Sequence, residues 1–222
     1  MAEGNGVTVA TLRTFAMFNG LPENELQAIA RLAMMRRVAR NSSIVRAGEH
    51  TDFVYLVLAG SLKVLVTDEE GREVIFGMLG PGELFGEMAV LDDHPRSATV
   101  IAVSASQLVV IGKGDFKRLL QERFELSQYI IRNLTQRLRK ADRKIETLAL
   151  MDVYGRVARL LLDMAENVNG EQVVTRKITK VDIAKMIGAT REMVSRVMND
   201  LRREGLIEPG AHGIVLHERL PA

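Results

Sequence analysis

Apolar positions along the chain change their period twice. From about residue 9 to 35 they recur at helical spacing, as in LPENELQAIARLA, which predicts short helices. Between about 37 and 112 the texture is strand and turn. SIVRAG, FVYLVLAG, SLKVLVTD, REVIFGMLG, SATVIAV and QLVVIG are short β-branched or apolar runs. Gly48, Gly60, the EEG at 69–71 and the GPG at 80–82 separate them. Many short strands at this spacing predict an antiparallel barrel or sandwich. From about 115 the helical period returns, and no repeat of fixed length is present.

A helix without Gly or Pro is predicted from about 125 to 150. Along it Ile131, Leu134, Leu138, Ala141, Ile145 and Leu148 fall in alternating steps of three and four. That is a heptad stripe, the pattern that buries one helix against a partner. Arg137, Arg139, Lys140, Arg143 and Lys144 make its flank basic, so a dimer seam is expected rather than packing on the helix's own domain. After Met151, DVYGRVARLLLDMAENVNG predicts a helix ending at Asn169–Gly170. A short strand (QVVT), two short helices and an apolar strand (GIVLHE) follow. Helix, helix, β-hairpin is the layout of a winged helix-turn-helix. The expected division is a sensor domain over 1–124, a dimerisation helix over 125–151 and a winged helix-turn-helix over 152–222.

Composition narrows the chemistry. The chain has 222 residues, 47% of them hydrophobic, enough for a packed core. It has no cysteine, which excludes disulfides, zinc-thiolate sites and cysteine-ligated clusters. MAEGNGVTVATLRTF holds no apolar run of signal-peptide length, and no stretch approaches a membrane span, so a cytoplasmic protein without membrane contact is expected. The formal charge of +2 says little about partners. Position says more: Arg176 to Arg203 carries eight basic residues against three acidic ones, a local excess of five that suits a polyanion.

Most of that stretch lies in ITKVDIAKMIGATREMVSRVMNDLRREGLI, residues 178–207. Thr179 is placed to cap a helix over VDIAKMI, and Thr190 to cap the next, without a full capping box because Met193 stands at its third position. Gly188 falls where the turn needs positive φ. Ile183, Ala184, Ile187, Val194 and Val197 supply the contacts between the helices, leaving Arg191, Glu192, Ser195, Arg196 and Asn199 outside. The N-terminal turn of such a helix reaches base edges in a major groove. Lys180 and Arg202 suit phosphates better than bases.

A second motif, ELFGEMAVLDDHPRSATV, spans 83–100. Gly86, Glu87 and the apolar turn after them predict a short helix whose N–H groups face an anion. Arg96 can clamp a phosphodiester, Ser97 can donate to it, and Glu87 can accept from a ribose hydroxyl. The alternative on these residues alone is a barrel turn held by a Glu87–Arg96 ion pair.

Taken in order, GEMAVLDDHPRSATV, LALMDVYGRVARLLL and ITKVDIAKMIGATREMVSRVMNDLRREGLI resemble the phosphate-binding cassette, the hinge and the helix-turn-helix of the cyclic AMP receptor protein (CRP/FNR) family. The resemblance covers about residues 20 to 217. It implies an α+β chain: a cyclic-nucleotide-binding β-roll (an antiparallel barrel), a long dimerisation helix and a C-terminal winged helix-turn-helix. It implies a homodimeric transcription regulator of double-stranded DNA, with RNA polymerase as a partner. Gly86, Glu87, Met88, Ala89, Arg96 and Ser97 become the ligand set, of which Gly86, Glu87, Arg96 and Ser97 hold ribose and phosphate. Thr179, Lys180, Thr190, Arg191, Glu192, Ser195, Arg196 and Arg202 become the DNA set, with Arg191, Glu192 and Arg196 reading bases.

One departure bears on the effector. The resemblance implies that, in cyclic-AMP-responsive members, a Thr–Ser pair on the dimer helix touches adenine, and here Ala141 and Asp142 align with it. Ala141 has no polar side chain, and burying the charge of Asp142 costs more than burying a hydroxyl. Arg139 and Arg143 nearby suit a more anionic or guanine-bearing ligand. Cyclic AMP is the favoured cofactor, with cyclic di-GMP or no nucleotide as alternatives, and no metal. The scattered histidines, with no Ser-His-Asp order and no Walker loop, argue against an enzyme. A cyclic-nucleotide regulatory subunit without DNA contact has no use for a reading helix.

Overall fold

The computed structural model describes residues 6–217. It divides into two compact units, Met1–Leu134 and Thr135–Ala222. The first begins with α1 (Val9–Leu12), a 3-10 turn at Ala16–Phe18 and α2 (Glu23–Leu32). Acidic Glu23 and Glu25 occupy the first turn of α2 and Arg31 its last, as the helix dipole favours. Eight strands follow: β1 (Ala33–Val38), β2 (Ser43–Val45), β3 (Phe53–Ala59), β4 (Leu62–Thr67), β5 (Glu73–Leu79), β6 (Leu84–Phe85), β7 (Thr99–Ala102) and β8 (Ser106–Gly112). A short α3 (Glu87–Leu91) lies between β6 and β7, and α4 (Lys113–Glu122) leads into α5 (Phe124–Leu150).

The strands form two antiparallel four-stranded sheets, ordered β1-β8-β3-β6 and β2-β7-β4-β5. Side chains alternate across a strand, so each face of a strand can belong to a different core. Tyr55 and Val57 of β3, and Leu108 and Val110 of β8, turn inward to meet Leu62, Leu79 and Val100 of the second sheet. Val54, Leu56, Val109 and Ile111 turn outward against Phe15, Phe18, Leu26, Ile29, Phe116 and Leu126. The first sheet is thus covered on both faces, which is why FVYLVLA and QLVVIG read as unbroken apolar runs. Each of these fully buried aliphatic side chains contributes about 1.5–3 kcal/mol by leaving water. The arrangement is the α+β β-roll expected from the sequence.

The α5 stripe divides by depth. Leu126 and Ile130 are buried in the core of the first unit, with Leu134 packed against it. Leu134, read from the sequence as part of the seam, therefore packs on its own unit. Ile131, Leu138 and Ile145, seven residues apart, stay 61%, 62% and 66% exposed. Among the described residues no helix is long and apolar enough to cross a membrane.

The second unit carries α6 (Val153–Met164), β9 (Glu166–Val168), β10 (Glu171–Val174), α7 (Lys180–Ile187), α8 (Arg191–Arg203), β11 (Ile207–Gly210) and β12 (Gly213–Leu216). Its sheet order is β11-β12-β10-β9. Asp152 caps α6 by accepting from the Gly155 N–H at 2.9 Å. The helix stops at Met164, five residues before the predicted end at Asn169. Asn169 and Gly170 have φ of 54° and 91°, the conformation of a tight hairpin turn, and β9 pairs back onto β10 with Glu171 opposite Val168. The Asn–Gly pair thus turns a hairpin and does not end a helix.

Candidate functional site

The cassette starts where β6 ends. Gly86 has φ of 83° and stands as N-cap of α3, with no side chain capping that helix. A Cβ at this position would crowd Arg96 Nη1 and would be strained at this φ, so glycine leaves the guanidinium its place. Arg96 Nη1 donates to the Gly86 carbonyl at 2.6 Å, Nε to Thr51 Oγ1 at 2.6 Å, and Nη2 to the Phe53 carbonyl. The guanidinium lies 5.8 Å from the centroid of Tyr55, whose ring stacks on Phe85. Its backbone is pinned as well: Arg96 N–H donates to Glu49 O, and Gly48 N–H to Arg96 O.

Arg96 is only 4% exposed. Desolvation pulls its pKa below the ordinary arginine value, while Tyr55, Glu87 and Asp52 oppose that shift. An arginine so placed still carries its charge at neutral pH. Glu87 is 1% exposed, and its Oε2 atom is buried without a hydrogen bond. Ala89 is buried, whereas Met88 and Ser97 are exposed. A buried guanidinium packed on a glycine whose positive φ would strain any side chain, with a serine hydroxyl at the surface, fits a ligand carrying a phosphate. The carboxylate of Glu87 suits a hydroxyl on the same ligand.

Sequence reading missed the supports of Arg96. Thr51 and Phe53 lie more than forty residues away, and no local pattern marks them; only the fold brings them together. Asp93 also escaped notice. With φ of 59°, it accepts from Lys113 at 2.6 Å and Lys117 at 2.8 Å, tying the cassette loop to α4. Hydrogen bonds from these two lysines lower its pKa to about 2. Lys113 N–H also donates to the Asp52 carbonyl, between Thr51 and Phe53. Ala141 and Asp142 are exposed positions of α5 in the second unit.

In the second unit, Thr179 and Thr190 cap α7 and α8 as expected, accepting from the N–H groups of Asp182 and Met193. Gly188 ends α7 with φ of 65°. Val194, Val197, Met198 and Leu201 are buried, leaving Arg191, Glu192, Arg196 and Asn199 exposed on the opposite side of α8. Ser195 is half-buried rather than open, and its Oγ accepts from Lys180 Nζ at 2.8 Å. Arg202 is exposed in the last turn of α8. Among the described residues, no cluster of three or more His, Cys, Asp or Glu could hold a metal ion.

A β-roll bearing a buried arginine, followed by a long helix and a winged helix-turn-helix, is the architecture of an effector-responsive DNA-binding regulator. Residues 35–123 match the family model for the cyclic nucleotide-binding domain, and residues 155–220 that for the Crp-like helix-turn-helix domain. The chain is 35% identical over 182 residues to the cAMP-activated global transcriptional regulator Vfr of Pseudomonas aeruginosa, covering 78% of this chain and 84% of that one. Its structure is similar to the catabolite activator protein of Thermus thermophilus at 30% identity and a TM-score of 0.54, covering 91% and 93% of the two chains. It is also similar to the c-di-GMP-responsive global regulator CLP of Xanthomonas campestris, at 25% identity and a TM-score of 0.66, covering 84% and 94%. The chain belongs to the CRP/FNR family of transcription regulators. It is a DNA-binding regulator with a cyclic nucleotide-binding domain, and not an enzyme.

Proposed function

We propose that a homodimer of this chain reads an inverted-repeat DNA site through α8, and that cyclic AMP at Gly86–Ser97 controls the affinity. The observation that carries this reading is Arg96, a cation buried to 4% exposure and held on backbone carbonyls beside an uncapped helix start. A cyclic phosphodiester there takes over guanidinium N–H groups that now face Gly86 and Phe53, so binding remodels the cassette as well as filling it. Glu87 accepts from the ribose and Ser97 donates to the phosphate, with Met88 and Ala89 on the turn between them. The seam is the exposed heptad Ile131, Leu138, Ile145. Arg191, Glu192 and Arg196 read bases, Thr179, Lys180, Thr190 and Arg202 meet the backbone, and Ser195 orients Lys180. Such a regulator works in the cytoplasm, where RNA polymerase is the partner its output requires.

Cyclic di-GMP is the second reading, favoured by the chemistry of α5. Ala141 offers no hydrogen bond, and Arg139 and Arg143 are exposed on the same helix. The likeness to CLP points the same way. Calorimetry with cyclic AMP, cyclic GMP and cyclic di-GMP decides between them, repeated on Arg96→Ala. The expected result is one cyclic AMP per chain, lost in the variant. Equal binding by wild type and Arg96→Ala would contradict the assignment of the cassette, and saturation by cyclic di-GMP alone would transfer the reading to that ligand.

A further inference from the structure

Three helix ends converge on one turn of chain in the second unit. The last turn of a helix leaves carbonyls without an intrahelical partner. At the end of α5, Arg156 supplies the donors: Nη2 bonds the Leu148 carbonyl at 2.9 Å and Nε the Met151 carbonyl at 3.0 Å. The same guanidinium reaches the end of α7, where Nη1 donates to the Ile187 carbonyl at 3.3 Å. One cation therefore caps two helix C-termini, each of whose dipoles favours positive charge. Two residues earlier, Tyr154 donates its hydroxyl to Glu204 Oε2 at 2.6 Å, and Glu204 is the C-cap of α8. Leu148 also lies beneath the turn between α7 and α8, with its Cδ2 3.9 Å from where a Cβ of Gly188 would stand.

We infer that Tyr154 and Arg156 are positioning residues for DNA recognition, fixing the ends of α7 and α8 to the end of the long helix. The inference rests on the dimeric reading above. In a dimer paired through α5, this clamp sets how far apart the two reading helices stand and how they face. Neither residue belongs to the DNA set. The domain core of Val157, Ala158, Leu161, Val194 and Leu201 folds α6 against α8 without them, so the two side chains are left to fix orientation. Arginine is required at 156 because its planar fork serves three carbonyls at once, which a lysine ammonium on a flexible stem does not. Tyr154 holds its proton throughout the neutral range, since the bond to Glu204 pushes its pKa up to about 12.

The test compares wild type with Arg156→Lys, Tyr154→Phe and Glu204→Gln, all full-length. Sedimentation gives the oligomeric state. Fluorescence anisotropy gives the affinity for a duplex with both half-sites and for one with a single half-site, at low salt, with and without cyclic AMP. Engaging the second half-site is intramolecular and depends on geometry, so loosening the clamp removes that advantage selectively. Arg156→Lys and Tyr154→Phe should therefore keep single-half-site affinity within about twofold and lose roughly tenfold or more on the full site. Glu204→Gln keeps an acceptor for Tyr154 and should match wild type. Equal losses on both duplexes would make the pair structural only, and unchanged full-site binding in both variants would place the coupling elsewhere; either overturns the inference. A wild type that sediments as a monomer would overturn the dimeric reading and this inference with it.

Discussion

Arg96 donates to Gly86 and, in a distant stretch of chain, to Thr51 and Phe53, and its loop is tied to α4 through Asp93. The glycine and the arginine were legible in the sequence because their spacing forms a motif. Thr51, Phe53 and Lys113 were not, because they carry no pattern of their own and become neighbours only when β3 and α4 pack. The Asp93 tie has a pH signature. Its carboxyl is held near 2, below the ordinary 3.8, by the two lysines. A depressed folded-state pKa means that the contribution is complete above the unfolded value and is lost as pH falls through the folded one. The tie should therefore persist unchanged from neutral pH to about 4 and dissolve only toward 2. An NMR titration following the Asp93 carboxyl carbon should show a midpoint near 2 in wild type and Lys117→Met nearer the ordinary value; a wild-type midpoint at the ordinary value would show that the lysines do not hold it.

Helix caps and strand runs were read correctly from residue pattern, since each reflects local chemistry. The end of α6 was not. AENVNG satisfies a helical period and also spells a hairpin turn, and the backbone follows the second because Asn169 and Gly170 both accept positive φ. Leu134 shows the same limit, for a heptad position can face its own core as readily as a partner. What remains exposed defines the prediction at this scale. Leu138 and Ile145 stand out of a single chain at 62% and 66% exposure. Replacing both with Glu would bring like charges together across a two-fold axis, at a cost of several kcal/mol, about what is needed to split a modest seam. Sedimentation should give a monomer with unchanged circular dichroism, and a variant that remains dimeric would place the seam elsewhere.

At the scale of the whole molecule, the proposed control of DNA affinity by a cyclic nucleotide requires effector and DNA binding to be reciprocal. A nucleotide can shift DNA affinity only by its preference between two states, and DNA must then tighten nucleotide binding by the same factor, typically about 5–150-fold. The division of labour on α8 is likewise a whole-site property. Arginine meets the O6 and N7 acceptors of guanine with two bonds, and Glu192 can accept from cytosine. In the proposed dimer, two copies related by a two-fold axis would read half-sites about 34 Å apart along the duplex. Arg196→Ala should lose roughly 1–3 kcal/mol of discrimination at one base pair per half-site. Lys180→Ala should weaken all sequences alike and flatten the salt dependence. The most direct measurement is selection from a random duplex library by wild type and Arg196→Ala, with and without cyclic AMP. Wild type with cyclic AMP should enrich an inverted repeat, with one base pair per half-site relaxed in the variant. Enrichment of no inverted repeat, or the same consensus from both proteins, would contradict base reading by α8.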